Sequence, residues 1–417
     1  MKFPRGGGRA WTIAWFALAH LLLITIGFHL IYTSRYSDFP IYQRYGQHVV
    51  LGQLPYESFA AEYPPLAFLF FTLPAATVGF SSLTAYYAAW LVQIFLADVA
   101  ALWTLDGIAR RRGQSPMLVL GAYTALFAVV GPITERDFDM FPALMTLLAI
   151  GAFEAEREVR GWIRLSLGVM TKLYPILLAP VVLLRHGGKL SPRAALRGAA
   201  IGLATCVAVM LPWLLTAPAS LLSFLRYHAE RGLQLESTYA SVVLAATRLH
   251  LTRSVTVNSF GSWNVIGPAA EVATRASTWL LLVGLAVAYA VCSAGFARRA
   301  PTTRTADSNA TLASCGALVL LAGMITSKVL SPQYQVWLLP LLALSTGPRR
   351  TLRWVLFAAI AITTYYIFPR HYNALIAIQP AAVVALLARN LMLVLLTVLL
   401  AIDILRERRG AHAARSA

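Results

Sequence analysis

The chain has 417 residues, 58% of them hydrophobic and 12% charged, with a mean hydropathy of +0.66 and a formal net charge of +18. A soluble domain carries roughly a quarter charged residues, so this composition excludes one; apolar runs close to the ~20 residues that cross a hydrocarbon core recur throughout. In a soluble protein the positive charge would suggest nucleic acid, but an excess of Lys and Arg in short cytoplasmic loops accounts for it here, so no nucleic-acid partner is expected.

Taken in chain order, a short basic start (Lys2, Arg5, Arg9) precedes a first apolar span at 11–32, read as a retained helix because no small-residue cleavage site follows. Further spans are predicted at 84–106, 116–133, 139–153, 162–172, 173–185, 198–216, 275–296, 310–328, 335–346, 354–368 and 381–403. Cys206, Cys292 and Cys315 lie in or beside these spans without metal-ligand spacing, and read as packing residues. The segment 63–80 is also apolar, and its path decides the topology. If it dips into the outer leaflet and returns, 23 of the 35 Lys and Arg fall on the inner side; if it crosses, the split is 17 against 18, which is no bias. The first arrangement obeys the positive-inside rule and makes 162–185 two short helices. The expected fold is therefore an all-α polytopic membrane protein of about twelve transmembrane helices with a long first outer loop. Residues 1–405 form one integral domain and 406–417 a disordered cytoplasmic tail. Both termini are cytoplasmic, and the surrounding membrane lipid is a partner.

This topology places the unusual residues on the outer side. Asp38 follows the first span in Ser37-Asp38-Phe39, and a surface helix is predicted over 40–52, with Ile41, Tyr45, Val49 and Leu51 facing the apolar side. Glu62-Tyr63-Pro64-Pro65 closes the loop. Asp38 can be a catalytic carboxylate, a helix cap or a partner of Arg35; Glu62 can be a solvated loop residue. Glu135-Arg136-Asp137-Phe138-Asp139 puts two carboxylates at i and i+2, able to hold a divalent metal or a sugar–phosphate headgroup, or simply to cap a helix. Lys172, between two apolar stretches, is costly in a bilayer and is a functional candidate, either paired with an acid or holding phosphate. Lys328 and Arg389 are similar. The loop 217–274 carries Tyr227, His228, Glu230, Arg231, Tyr239, Trp263 and Asn264, a mixture of rings, amide and acids suited to a sugar, with His228 a candidate base. Arg370 and His371 can flank a phosphate. No Walker loop, G-x-G-x-x-G, H-E-x-x-H or G-x-S-x-G occurs, so a nucleotide has no recognisable seat.

The runs Ser37-Asp38-Phe39-Pro40-Ile41-Tyr42, Gly52-Gln53-Leu54-Pro55-Tyr56, Tyr63-Pro64-Pro65, Lys172-Leu173-Tyr174-Pro175 and Ser331-Pro332-Gln333-Tyr334 resemble, in content and order, glycosyltransferase family 87. The resemblance covers most of the chain, strongest over 36–75 and 165–185. It implies a GT-C fold and a polyprenyl-phosphate-sugar donor, as in bacterial mannosyl- and arabinofuranosyltransferases. It also implies Asp38 as the catalytic residue, and Asp137 and Asp139 as the second acidic motif found in GT-C enzymes. Family 87 members often carry a Gly-Gln-x-Asn-like sequence there; this chain has Arg-Asp-Phe-Asp, which leaves the sugar and the use of a metal open. The expected reaction moves mannose, or next arabinofuranose, to a lipid-linked or cell-envelope glycan on the outer face. Asp38 takes the acceptor's proton, the donor's configuration inverts, and Lys172, Lys328, Arg231 or Arg370 neutralise the departing phosphate. Tyr63, Asp137, Asp139 and His228 complete the expected substrate contacts. A transporter or flippase for lipid-linked saccharides is the alternative; it would need broken midplane helices and a two-fold repeat.

Overall fold

The computed structural model of the protein describes residues 8–31, 38–216, 218–299, 308 and 311–406. The expected Asp38–Arg35 pair, Ser37 of the first motif, Lys2 and Arg5, and all but the first residue of the expected tail lie outside them.

Among the described residues, twelve segments run between two faces. Helix α1 (Arg9–Ile31) begins at what we term the basic face, where the Arg9 guanidinium lies 2.7 Å from Asp106. Asp106 is near the end of α4 (Leu83–Arg112), so α4 runs antiparallel to α1. Between them, α2 (Phe39–Val50) and α3 (Ala67–Val78) form a hairpin that never leaves the opposite face, which we term the site face. The Gln43 amide on α2 donates to the Ser81 carbonyl just after α3, at 3.2 Å, and Phe39 packs on Tyr87 at the start of α4. The segment 63–80 therefore returns rather than crosses, as the charge distribution predicts.

Helix α5 (Pro116–Val130) climbs to the site face, the single turn α6 (Ile133–Arg136) lies across it, and α7 (Met140–Glu154) descends to pair with Arg112. Helix α8 (Glu158–Thr171) rises to Lys172; a 3-10 turn (Tyr174–Leu178) and α9 (Ala179–Leu184) bring the chain back to Arg185, which pairs with Glu158. The stretch 162–185 is thus two short segments. Helix α10 (Pro192–Thr216) rises and α13 (Pro268–Arg298) descends; α14 (Leu312–Thr326) rises and α15 (Gln335–Leu344) descends to give its last carbonyl to Arg112 at 2.9 Å. Helix α16 (Arg350–Tyr365) rises, and α18 (Pro380–Leu405) descends until Asp403 meets Arg349 at 2.6 Å and buried Arg353.

Six of these helices (α1, α4, α10, α13, α16 with its following turn, and α18) are long and apolar enough to cross a membrane. The short ones are interior. All ten residues of α15 are buried, as is nearly all of α14, so their ends are covered by protein and need not reach water. Helix α10, by contrast, buries only Gly198 and offers Leu203, Val207, Leu211 and Leu215 outward.

The all-α bundle carries one small addition, in the loop between α10 and α13. Helices α11 (Ser223–Glu230) and α12 (Thr238–Arg248) flank a small antiparallel sheet in the order β1 (Leu233–Gln234), β3 (Ser262–Ile266), β2 (Val255–Ser259). Strands β2 and β3 join through Phe260 and Gly261, both with positive φ, the two-residue turn whose twist suits a hairpin. This sheet roofs the site face, and α17 (Tyr372–Ile376) docks on it through a 2.8 Å bond from Thr256 to the Ile376 carbonyl.

Candidate active site

Asp38 occupies the N-cap position of α2, yet its carboxylate makes no capping bond. Its contact among the described residues is the Tyr42 hydroxyl at 3.5 Å, one turn on. Pro40 in the first turn starts the helix without needing a donor. The inward face of α2 is Phe39, Tyr42, Tyr45 and Gly46, one residue round from the predicted face; Leu51 is exposed. Tyr42 clusters with Phe71 and Trp90, at 4.7 and 5.2 Å, the latter two 6.1 Å apart, and its hydroxyl lies 3.4 Å from that of Tyr63. These rings fix where Asp38 stands. Glu62 is no solvated loop residue: it accepts from the Tyr45 hydroxyl at 2.7 Å, and burial raises its carboxyl above the usual range.

The second acidic motif is split by the fold. Asp139 sits at the N-cap of α7 without a capping bond; its two oxygens take the Lys172 ammonium at 2.7 and 2.9 Å, and the Trp337 indole also donates to it. Trp337 lies between Tyr174 and Tyr334, at centroid distances of 3.9 and 4.0 Å. The Lys-x-Tyr-Pro and Ser-Pro-Gln-Tyr runs thus meet in one aromatic stack that carries the lysine. Asp137 points the other way, into a cavity. Burial pushes its carboxyl up to about 8, with Arg136 opposing the rise and Asp38 and Asp139 adding to it.

That cavity has a volume of about 530 Å³ and opens beneath the small sheet. Of the expected site residues it is lined by Asp38, Tyr63, Asp137, Lys172, His228 and Arg231. His228 Nε2 meets the Glu62 carbonyl at 3.1 Å; a carbonyl only accepts, so Nε2 carries the proton and Nδ1 is an acceptor. Burial, then Arg231, lowers its pKa to about 4, which leaves it neutral and a poor base at pH 7. Arg231 donates to the Ser262 hydroxyl at 3.0 Å and keeps a buried Nε without a partner. Leu177, Leu281, Leu320 and Met324 form an apolar wall. Leu281 of α13 faces the cavity while its neighbours Leu280 and Leu282 are exposed on the outside of the same helix.

Three expected residues are not in the cavity. Asp139 is buried below it as the counter-ion of Lys172. The Lys328 ammonium is turned to the Ala229 carbonyl at 2.8 Å. Arg370 is exposed over the Tyr365 ring. Of the two carboxylates expected to share a metal, Asp139 accepts from the Lys172 ammonium and the Trp337 indole, and Asp137 lines the cavity. Among the described residues, Glu156, Glu158 and His186 are the group of three potential ligands drawn close together, and they lie on the basic face. Conversely, sequence reasoning missed Glu236, Trp337 and Tyr372, and had Tyr42 and Arg136 only as members of motif runs, with no role of their own.

The sequence matches glycosyltransferase family 87 over residues 61–332, well over half the chain. The chain belongs to glycosyltransferase family 87. No curated protein matches it in sequence. Among solved structures, this family 87 chain is similar to ArnT from Cupriavidus metallidurans in the apo state, at 12% identity and a TM-score of 0.47, over 96% of this chain and 78% of that one. It is also similar to the Archaeoglobus fulgidus oligosaccharyltransferase tethered to an acceptor peptide, at 12% identity and a TM-score of 0.42, over 95% and 55% of the two chains. Family membership makes the protein a membrane glycosyltransferase. The match begins at residue 61, so Asp38 lies upstream of it.

Proposed function

We infer that this family 87 enzyme moves a sugar, mannose first and arabinofuranose second, from a polyprenyl-monophosphate donor to a lipid-linked or cell-envelope glycan on the outer face. The observation that carries the reading is one cavity that joins a loosely held carboxylate, two cations and an apolar wall. Each part suits one part of the donor and its reaction. The prenyl chain lies along Leu177, Leu281, Leu320 and Met324. Lys172 and Arg231 face the phosphate. Asp38 takes the proton of the acceptor hydroxyl as that oxygen bonds to the anomeric carbon. The carbon–oxygen bond to phosphate breaks, and its electron pair leaves with the phosphate, whose charge the two cations stabilise. One displacement inverts the anomeric centre. Asp139 orients Lys172 from below and touches no substrate.

The test is transfer from radiolabelled polyprenyl-phosphate mannose, and in parallel polyprenyl-phosphate arabinose, to native envelope lipids. Asp38→Asn, expressed and folded as wild type, is expected to lose activity by about a hundredfold or more, the scale of a lost general base. Equal transfer by the variant would remove Asp38 as the base. Transfer from neither donor by the wild type would reject both sugars.

A further inference from the structure

The cavity has a second end. Arg136 and Asp137 divide it: Asp137 faces Asp38 and Lys172, while Arg136 is close enough to Glu236 to act on its charge. Glu236 lines this end although it is only 1% exposed, and its Oε2 has no hydrogen-bond partner. The side chain is not there by default. Arg389, buried in α18, stands 3.6 Å from that same oxygen, near enough to balance the charge and too far to occupy the lone pair. Arg389 and Asn390 also hold the Glu236 backbone carbonyl, at 3.0 and 3.4 Å. The Tyr372 hydroxyl bonds to the carboxylate. Leaving a buried carboxylate oxygen unpaired costs stability, so a residue held this firmly in that state is placed to receive a donor from outside the protein.

The surroundings state what kind of donor. Phe368 and Tyr372 stand edge to face, centroids 4.9 Å apart at 89°, and both line the cavity. Arg136 covers the Phe368 ring at 4.6 Å, and its buried Nε has no partner either. A ring wall, one open acceptor and one open donor match a pyranose or furanose ring, with an apolar face and hydroxyls that both give and take hydrogen bonds. They do not match a phosphate, which the Glu236 charge repels. The two cations assigned to the donor act on other acids, Lys172 on Asp137 and Arg231 on Glu62.

We propose that Glu236, with Tyr372 and Phe368, forms the subsite that binds a non-reacting hydroxyl of the acceptor sugar. This rests on the transferase reading above. Glu236 holds the acceptor ring so that a neighbouring hydroxyl reaches Asp38, and so selects among acceptors by where their hydroxyls lie.

The test uses the detergent-solubilised full chain and two binding measurements that need no turnover. The first is saturation-transfer NMR with methyl α-mannopyranoside and methyl α-arabinofuranoside. The second is the thermal shift given by polyprenyl monophosphate. At least one glycoside is expected to bind wild type, and Glu236→Gln to weaken it about tenfold, the loss of one hydrogen bond to a charged group. The polyprenyl monophosphate shift is expected to be unchanged. Tyr372→Phe keeps the Glu236–Arg389 pair, guards against misfolding of the first variant, and is expected to weaken the same glycoside by a smaller factor. Equal glycoside binding by wild type and both variants, or no binding of either glycoside to wild type, would overturn the subsite. A wild type that polyprenyl monophosphate fails to stabilise would instead count against the donor reading, whatever the glycosides do.

Discussion

Asp137 is 3% exposed, beside Asp38 and Asp139, and its carboxyl is pushed from 3.8 up to about 8. A carboxyl raised by folding holds a proton in the native protein that the unfolded chain has released. Its stabilising contribution is complete below about pH 4 and is lost as the pH rises through about 8. For one proton the slope is roughly 1.4 kcal/mol per pH unit. The unfolding temperature is therefore expected to fall as the pH rises through this window, and Asp137→Asn, which cannot ionise, to flatten part of that fall. Glu62 and Glu236 are raised by burial in the same direction and keep the remainder. Parallel curves for wild type and variant would show that Asp137 does not carry the proton. The same crowding of acids explains why Lys172 is placed as it is. A lone lysine at this depth would be costly, and Asp139 supplies the counter-charge while leaving the ammonium at the cavity edge.

At the scale of elements, the α2–α3 hairpin determines where the first-loop carboxylate stands. The two helices approach so closely at Gly46 that a Cβ there would fall inside the Phe71 carbonyl, and backbone cannot swing aside as a side chain can. Gly46→Ala is expected to cost about 1–3 kcal/mol by overpacking and, because Tyr42 is one turn away, to lower transfer as well. Gly121, in α5 with open space where its Cβ would lie, is the control: Gly121→Ala is expected to be neutral or to stabilise slightly, as an alanine in a helix does. Equal stability of both variants, by thermal unfolding, would mean that the hairpin separates at no cost. The hairpin was legible in the sequence because Pro55 and Pro64-Pro65 mark the turn and the charge count forbids a crossing. The β2–β3 hairpin was less legible. Its strands are five residues long, neither shows strict alternation of burial, and only the Gly261 turn beside Val255-Thr256-Val257 signals it. Asp38 and Lys172 stood out as charges beside apolar runs. Glu236 did not, because Arg389 and Arg136, which give it meaning, are 153 residues downstream and 100 upstream.

At the scale of the whole molecule, the two faces differ in charge, and this orients the protein. One face gathers Arg9, Arg110, Arg112, Arg185, Arg349 and Arg353, tied to Asp106, Glu154, Glu158 and Asp403, together with Arg111 and Arg298, which donate to backbone carbonyls. The other carries the cavity and the sheet, and its exposed arginines (Arg44, Arg226, Arg248, Arg253, Arg275 and Arg370) are scattered along loops and helices rather than gathered in runs. Short loops rich in Lys and Arg stay in the cytoplasm, so the cavity is expected to open outward, where a lipid-linked donor can reach it and nucleotide cannot. Single thiols read this directly. Glu230 is exposed on the site face and Ser191 on the basic face, while Cys292 and Cys315 are buried and Cys206 lies in the middle of a membrane-length helix, so the native cysteines give little background. In right-side-out vesicles a membrane-impermeant maleimide is expected to label Glu230→Cys at once and Ser191→Cys only after the membrane is opened. The opposite order would place the cavity in the cytoplasm. It would also reverse the chemistry expected of the donor, since on that side a soluble nucleotide sugar competes with any polyprenyl phosphate for the same carboxylate and cations.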